Sequence, residues 1–147
     1  MISKRVRRLQ PLKELAGMRE RTEASALGEA ERRLGEAERR LGDLLRYRQE
    51  YERNFQQTAS AGAAMRNLRD QQVFIARIGE AVRAQQLVVE QISGECVQAR
   101  AQWREAATRK QVVGKVVDKA KAEAHMKDEQ RLQVESDERA IQTRVRS

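Results

Sequence analysis

The sequence has 147 residues, of which 3% are aromatic, 39% are hydrophobic and 35% are charged, and its formal net charge is +8. So few large apolar side chains exclude the thick mixed core of an ordinary globular domain, and no run approaches the roughly 20 apolar residues of a membrane-spanning helix. Abundant Ala, Glu, Arg, Lys and Leu predict long α-helices, and the basic excess favours a nucleic acid, a membrane surface or an acidic protein as partner.

The first predicted helix contains a seven-residue repeat. Residues 27–33 and 34–40 have the same sequence, LGEAERR, so leucines recur with the period of a coiled coil. In this frame Arg48 is the one polar residue at a core position between Leu27 and Phe55. The other core positions a and d of this stretch hold Leu27, Ala30, Leu34, Ala37, Leu41, Leu44, Tyr51 and Phe55.

Two starts of the first helix fit the sequence. Pro11 lacks a backbone N–H and is best placed in a first helical turn, so we predict a helix over residues 11–57. A start at Ser3 with a kink at Pro11 is the alternative. The repeat frame would place charged residues at core positions in this region: Lys13, Glu20 and Glu23. The leucines of this region indicate a shifted phase: Leu9, Leu12 and Leu15.

The second predicted helix follows a short break. Small uncharged residues with a glycine, TASAG, predict a turn over residues 58–64, and such a short connection makes antiparallel neighbours. We predict a second, longer helix over residues 65–141, because the heptad frame continues to Ala124. The predicted fold is therefore all-α, a single two-helix antiparallel coiled-coil hairpin.

Two registers of this hairpin, seven residues apart, are compatible with the turn. One places Leu34 opposite Ile92, and the other places Leu27 opposite Ile92. The sequence leaves this choice open. Either register gives the same predicted coiled-coil core: Leu27, Leu34, Leu41, Leu44, Ile75, Val82, Val89 and Ile92.

The residues that usually carry chemistry are scarce in this sequence. His125 is the only histidine and Cys96, at a core position, is the only cysteine, so neither predicts a metal site. No glycine-rich phosphate-binding motif occurs, and the carboxylates alternate with arginines on helix faces. We therefore predict that the protein is not an enzyme and uses no cofactor, metal or small-molecule substrate.

Aromatic residues gather on both sides of the predicted turn. Three precede it at spacing i, i+4, i+8: Tyr47, Tyr51 and Phe55. Phe74 follows it, and together these rings predict a hydrophobic cap on that end of the hairpin. Phe74 also precedes the core residue Ile75, so it should point sideways and form a row with Ile78 and Ala81. An apolar row beside a buried stripe indicates contact with a partner helix.

Five segments of this sequence resemble one protein family. They are RLQPLKELA near the N-terminus, LLRYRQEYERN at residues 44–54, NLRDQQVFIARIGEAVRAQQ at 67–86, AQWREAATRKQ at 101–111 and KDEQRLQVESDERA at 127–140. In order, spacing and total length they are similar to the flagellar export protein FliJ family. That family comprises the coiled-coil component of the flagellar type III export apparatus.

The resemblance implies a two-helix stalk like the central stalk of rotary ATPases. The stalk would sit in the export ATPase ring, link it to the membrane export gate and contact export chaperones. Its place would be cytoplasmic, peripheral at the inner face of the bacterial cell membrane. The resemblance also implies that one strip of the second helix touches the gate: Phe74, Ile78, Ala81 and Gln85. The family has a histidine where this sequence has Gln85.

The N-terminal region suggests a second contact. Residues 1–21 carry seven basic and two acidic side chains, and we hypothesise that Arg5, Arg7 and Arg8 face an acidic lumen of the ATPase ring. Two alternatives are the equivalent stalk of a virulence secretion system and a basic coiled-coil adaptor for nucleic acid or a membrane surface. Specific nucleic-acid binding is not expected, because no aromatic stacking platform accompanies the arginines. The sequence does not predict whether the chain forms homo-oligomers.

Overall fold

A computed structural model describes residues 3–146. Within this range the chain forms α1, Lys4–Ser60, and α2, Met65–Arg146, and no strand. The predicted all-α fold is confirmed, and α2 is the longer helix, with 82 residues against 57. The two helices are connected by residues 61–64.

α1 begins at Lys4, seven residues before the predicted start at residue 11, and Ser3 caps this end. Its backbone carbonyl accepts a hydrogen bond from the N–H of Arg7 at 3.0 Å, and its hydroxyl accepts one from the N–H of Val6 at 3.2 Å. A serine at this position satisfies an N–H group that the first helical turn leaves free. Pro11 therefore lies inside the helix, where it is exposed and occupies heptad position f, opposite the core stripe.

α1 ends at Ser60, three residues after the predicted end at residue 57, and Gly62 terminates it. Its φ is +78°, a left-handed conformation that glycine adopts without steric penalty. Its N–H donates to the carbonyl of Ala59, and the N–H of Ala63 donates to the carbonyl of Thr58, both at 3.2 Å. These two bonds form a Schellman motif, which satisfies carbonyls that the last helical turn leaves free. The turn therefore occupies residues 61–64 rather than 58–64.

The chain forms two compact units. The central unit comprises Ala24–Gln102, and the terminal unit comprises the chain up to Glu23 together with the chain from Trp103 onward. Each unit therefore contains one segment of α1 and one segment of α2.

The core of the central unit decides the register of its two helices. Leu34 packs against a buried cluster that includes Ile92 and Cys96. This cluster matches the register that places Leu34 opposite Ile92. On the α1 side the buried members of the cluster are alanines, Ala30 and Ala37. On the α2 side Val89 and Ala99 pack against Ile92 and Cys96. Because alanine is small, these two helix segments bury little area per layer.

The predicted core residues all lie along this seam. Ile78, Val82 and Ile92 are buried. The others are half-buried: Leu27, Leu34, Leu41, Leu44, Ile75 and Val89. On one side of the seam an Arg33 guanidinium nitrogen lies 2.9 Å from a Glu95 carboxylate oxygen. On the other side Arg100 and Glu31 are 3.1 Å apart.

In the terminal unit α1 keeps the heptad frame of the LGEAERR repeat, although the leucines near the N-terminus had indicated a shifted phase. Val6 and Ala16, both at core positions, are buried, whereas Leu12 and Leu15 are 52% and 62% exposed. The expectation of a shifted phase is therefore wrong. Charged residues occupy the core positions of that frame and are half-buried: Lys13, Glu20 and Glu23.

Glu20 shows how a carboxylate is accommodated in this seam. One of its oxygens accepts a hydrogen bond from the indole N–H of Trp103 at 3.1 Å. The other oxygen lies 3.8 Å from the ammonium nitrogen of Lys110. A partly buried carboxylate is tolerated when it is hydrogen-bonded and paired, so Glu20, Trp103 and Lys110 form one polar cluster.

Candidate partner-binding surfaces

Three aromatic rings form a surface on the central unit. The ring centroids of Tyr51 and Phe74 are 4.7 Å apart, those of Tyr47 and Tyr51 are 4.8 Å apart, and those of Tyr47 and Phe74 are 6.4 Å apart. The tyrosines are four residues apart on α1, so they share one face of that helix. Phe74 packs on them from α2 and stays 38% exposed. We call these three residues the aromatic surface.

The tyrosine hydroxyls of the aromatic surface are bonded to each other. The hydroxyl of Tyr47 donates a hydrogen bond to the hydroxyl oxygen of Tyr51 at 3.2 Å. This bond stabilises the protonated phenol and thereby raises the pKa of Tyr47 above its ordinary value. Tyr47 remains 43% exposed, so the pair is accessible from solvent.

The four residues that the family resemblance assigned to the export gate do not share one exposed row. Phe74 keeps exposed ring surface, but Ile78 occupies a core d position and is 5% exposed. Ala81 is half-buried. Gln85 is also half-buried, and its side-chain amide donates to the backbone carbonyl of Ala37 at 3.1 Å. A partner can therefore touch Phe74 directly, whereas Ile78 is covered by α1.

Sequence reasoning missed one exposed residue beside the aromatic surface. Val73, the neighbour of Phe74, is 54% exposed. It occupies position f of the second helix, which faces away from the seam, and a valine at a solvent-facing position was the available signal. Phe74 and Val73 together widen the apolar area that a partner could contact.

The three arginines predicted to face the ATPase ring are all exposed, but they point in different directions. Arg5 lies at position g and pairs with Glu123 of α2 at 3.4 Å. Arg8 lies at position c on the same side and forms no ion pair within residues 3–146. Arg7 lies at position b on the opposite side, where it lines a groove of about 620 Å³ together with Lys121 and His125. The predicted cluster is thus divided between two sides of the terminal unit.

The C-terminal end of α2 presents a long exposed segment. Every residue from 129 to 146 is exposed, although α2 continues to Arg146. Apolar side chains occur in this segment without a buried stripe: Leu132, Val134, Ile141 and Val145. Among the described residues this segment therefore has no buried apolar stripe that would stabilise it.

The remaining candidate residues lie in unremarkable settings. The imidazole of His125 is 3.0 Å from a carboxylate oxygen of Glu129, and both side chains are exposed. Cys96 is buried in the central unit. Among the residues that the structure describes, no group of His, Cys, Asp or Glu has an arrangement that could hold a metal ion. None of the helices described has a segment both long and apolar enough to cross a membrane.

Comparison with known proteins identifies the family. Comparison with curated proteins and comparison with solved structures each gave no match. The family described as "Flagellar FliJ protein" matches residues 4–147, which is nearly the full length. This match covers both helices and all five segments that carried the resemblance. The chain therefore belongs to the flagellar FliJ protein family.

Proposed function

We propose that this chain is a non-enzymatic stalk of the flagellar type III export apparatus, which couples the export ATPase ring to the membrane export gate and escorts export chaperones. The observation that carries this proposal is the family match over residues 4–147. The protein would act in the cytoplasm, peripherally at the inner face of the cell membrane. It would bind its partners through exposed helix faces, because two paired helices leave most of their surface accessible.

The aromatic surface is the proposed contact with the export gate. Phe74 and Val73 offer exposed apolar area on the central unit. The rings of Tyr47 and Tyr51 on α1 contact the ring of Phe74. Aromatic side chains contribute strongly to binding when a partner removes them from water. Ile78 would act indirectly, by holding α2 against α1 so that Phe74 keeps its orientation.

The terminal unit is the proposed contact with the ATPase ring. It brings the basic start of α1 and the exposed end of α2 into one compact unit. Arg5, Arg7 and Arg8 present positive charge on two of its sides, which suits a partner that surrounds the unit. The aromatic surface and these arginines belong to different units, so two partners can be bound separately.

Co-purification of the full-length chain with the export ATPase and with the cytoplasmic part of the export gate tests both contacts. Replacing Arg5, Arg7 and Arg8 by glutamate should reduce recovery of the ATPase and leave recovery of the gate unchanged. Phe74→Ala should have the reverse effect. Circular dichroism should show unchanged helicity in both variants, because the substituted side chains lie outside the core.

Matched controls are available on the same helices. Arg39, Arg40 and Arg53 are exposed arginines of α1 without ion pairs among the described residues, so their replacement by glutamate controls for total charge. Val97→Ala removes a 66% exposed apolar side chain of α2 away from the rings and controls for Phe74→Ala. Unchanged ATPase recovery with the Arg5, Arg7 and Arg8 variant would contradict the ring contact, and failure of both partners to co-purify with the unmodified chain would contradict the stalk.

A further inference from the structure

Four exposed aliphatic side chains of the terminal unit take no part in its core. Leu12 and Leu15 lie on α1 and are 52% and 62% exposed. Val112 and Val116 lie on α2 and are 55% and 37% exposed. Exposed apolar residues that occur singly need no explanation, but a contiguous group indicates a binding surface.

The ion pair between Arg5 and Glu123 fixes the pairing of the two helix segments, and from this pairing we infer that the four residues are neighbours. Both of its members occupy position g, and their charged atoms are 3.4 Å apart. One heptad further along each helix, Leu12 and Val116 occupy the same position g, so the same pairing places them opposite each other. Positions c and g lie on the same side of a helix, so Leu15 and Val112, both at position c, extend the patch outward. We call these four residues the aliphatic patch.

Positive charges predominate around the aliphatic patch, where four unpaired cations lie beside one exposed carboxylate, Glu105, at position c of α2. Beyond one end of the patch, at position g, the oppositely charged Arg5 and Glu123 form an ion pair. Beyond its other end, position g holds two like charges, Arg19 of α1 and Arg109 of α2. Arg8 and Lys119, both at position c, flank the patch at the end nearer that ion pair. None of these four cations forms an ion pair within the described chain. Like charges placed opposite each other are unfavourable, and an anionic partner would reverse the sign of that interaction.

We propose that the aliphatic patch docks an amphipathic helix of a protein partner, with aliphatic anchors on one face and acidic residues beside them. The patch matches such a helix in shape, because Leu12 and Leu15 are three residues apart and Val112 and Val116 are four apart, the spacing of ridges on a helix surface. A membrane surface fits less well, since the apolar part of α1 covers about one helical turn, whereas helices that lie in a membrane interface present a longer apolar face.

This proposal deepens the proposed stalk function, on which it rests, by naming the kind of partner segment that the terminal unit would receive. It differs from the arginine contact with the ATPase ring because aliphatic side chains provide the binding free energy and the cations select the partner. Apart from Arg5 and Arg8, the residues used here are not among those assigned to the gate or the ring.

Binding of synthetic helical peptides to the full-length chain tests the proposal. The first peptide carries leucines on one face with glutamates beside them, and the second is identical except that lysines replace the glutamates. We expect the full-length chain to bind the acidic peptide at least tenfold more tightly than the basic one in fluorescence anisotropy. Replacing Leu12 and Val116 by serine should weaken acidic-peptide binding at least tenfold, because two apolar contacts are removed.

Two further variants make the test specific. Replacing Arg19 and Arg109 by glutamate should reverse the preference, so that the basic peptide binds more tightly. Replacing Leu87 and Val97 by serine removes two side chains that are 66% exposed in the central unit, and this control should bind like the unmodified chain. Equal binding of both peptides, unchanged binding after loss of Leu12 and Val116, or binding of anionic lipid vesicles in place of the acidic peptide would overturn the proposal. Co-purification with the ATPase and the gate reports the stalk function separately.

Discussion

The glycines of the LGEAERR repeat allow a sharp test of how α1 is stabilised. Gly28, Gly35 and Gly42 lie at position b, and a methyl group built on each would meet no atom within 4 Å beyond its chain neighbours and the adjacent backbone of its own helix. Alanine should therefore fit at all three positions without displacing a neighbour. Each substitution should stabilise the helix by about 0.5–1 kcal/mol, because glycine loses more backbone freedom on folding than alanine does.

The three substitutions should act independently. Seven residues of helix separate successive glycines by about 10 Å, a distance at which effects on stability usually add. The triple variant should therefore gain about 1.5–3 kcal/mol. For a chain of this size each kcal/mol raises the melting temperature by roughly 2–4 °C, so circular dichroism should detect an increase of about 3–12 °C.

Gly62→Ala is the matched control for the triple variant. The substitution is chemically the same, but the φ of Gly62 is +78°, a conformation that an alanine side chain disfavours by roughly 1–2 kcal/mol. Gly62→Ala should therefore lower the melting temperature while the triple variant raises it. A triple variant that is less stable than the unmodified chain would refute the reasoning, because it would mean that these glycines serve a close contact or a bend rather than open surface.

Three other predictions concern the seam and the aromatic surface. Leu34→Ala should destabilise the protein by about 2 kcal/mol, the lower end of the range for leucine, because Leu34 is only half-buried. Glu20→Ala should cost about 1–2 kcal/mol in chemical unfolding and shift the fluorescence of Trp103, because the indole N–H loses its acceptor. Tyr51→Phe should lower the pKa of Tyr47 in an ultraviolet titration, because it removes the hydrogen bond that raises this pKa. The stabilisation from that bond is present below the unfolded pKa of about 10 and is lost as the pH rises through the folded pKa.

Each of these predictions has a control or a contrary result. Leu45→Ala removes a leucine that is 36% exposed and lies outside the seam, so it should cost less than Leu34→Ala. An equal cost would mean that Leu34 is not a core residue. Glu20→Gln retains an oxygen acceptor and should preserve the fluorescence of Trp103, whereas an identical shift in both Glu20 variants would assign the effect to charge. An unchanged Tyr47 titration in the Tyr51→Phe variant would exclude the tyrosine pair as its cause.

Local periodicity allowed much of the fold to be predicted. The repeat of residues 27–40 identified the core face of α1, and the residues assigned to it are buried or half-buried. The frame of α2 placed Ile78, Val82 and Ile92 at core positions, where each is buried. Periodicity predicts these features because a helix places residues three, four and seven apart on one face whatever else the chain does.

The ends of α1 depended on details that periodicity does not contain. The N-cap bonds of Ser3 and the left-handed φ of Gly62 each moved a boundary of α1. A single residue decides such a boundary through its local hydrogen bonds, so a pattern averaged over several turns does not predict it.

Tertiary structure decided how the helices pair and what their surfaces offer. A heptad repeat permits pairings that differ by seven residues, and the packing of Leu34 on the cluster of Ile92 and Cys96 chose between them. The exposure of Leu12 likewise depends on that pairing, because the position of α2 along α1 determines which leucines of α1 are covered. The sequence by itself therefore determined which face of each helix is apolar. The tertiary structure decided which residues meet across the seam and which remain free to bind a partner, because those properties depend on contacts between distant parts of the chain.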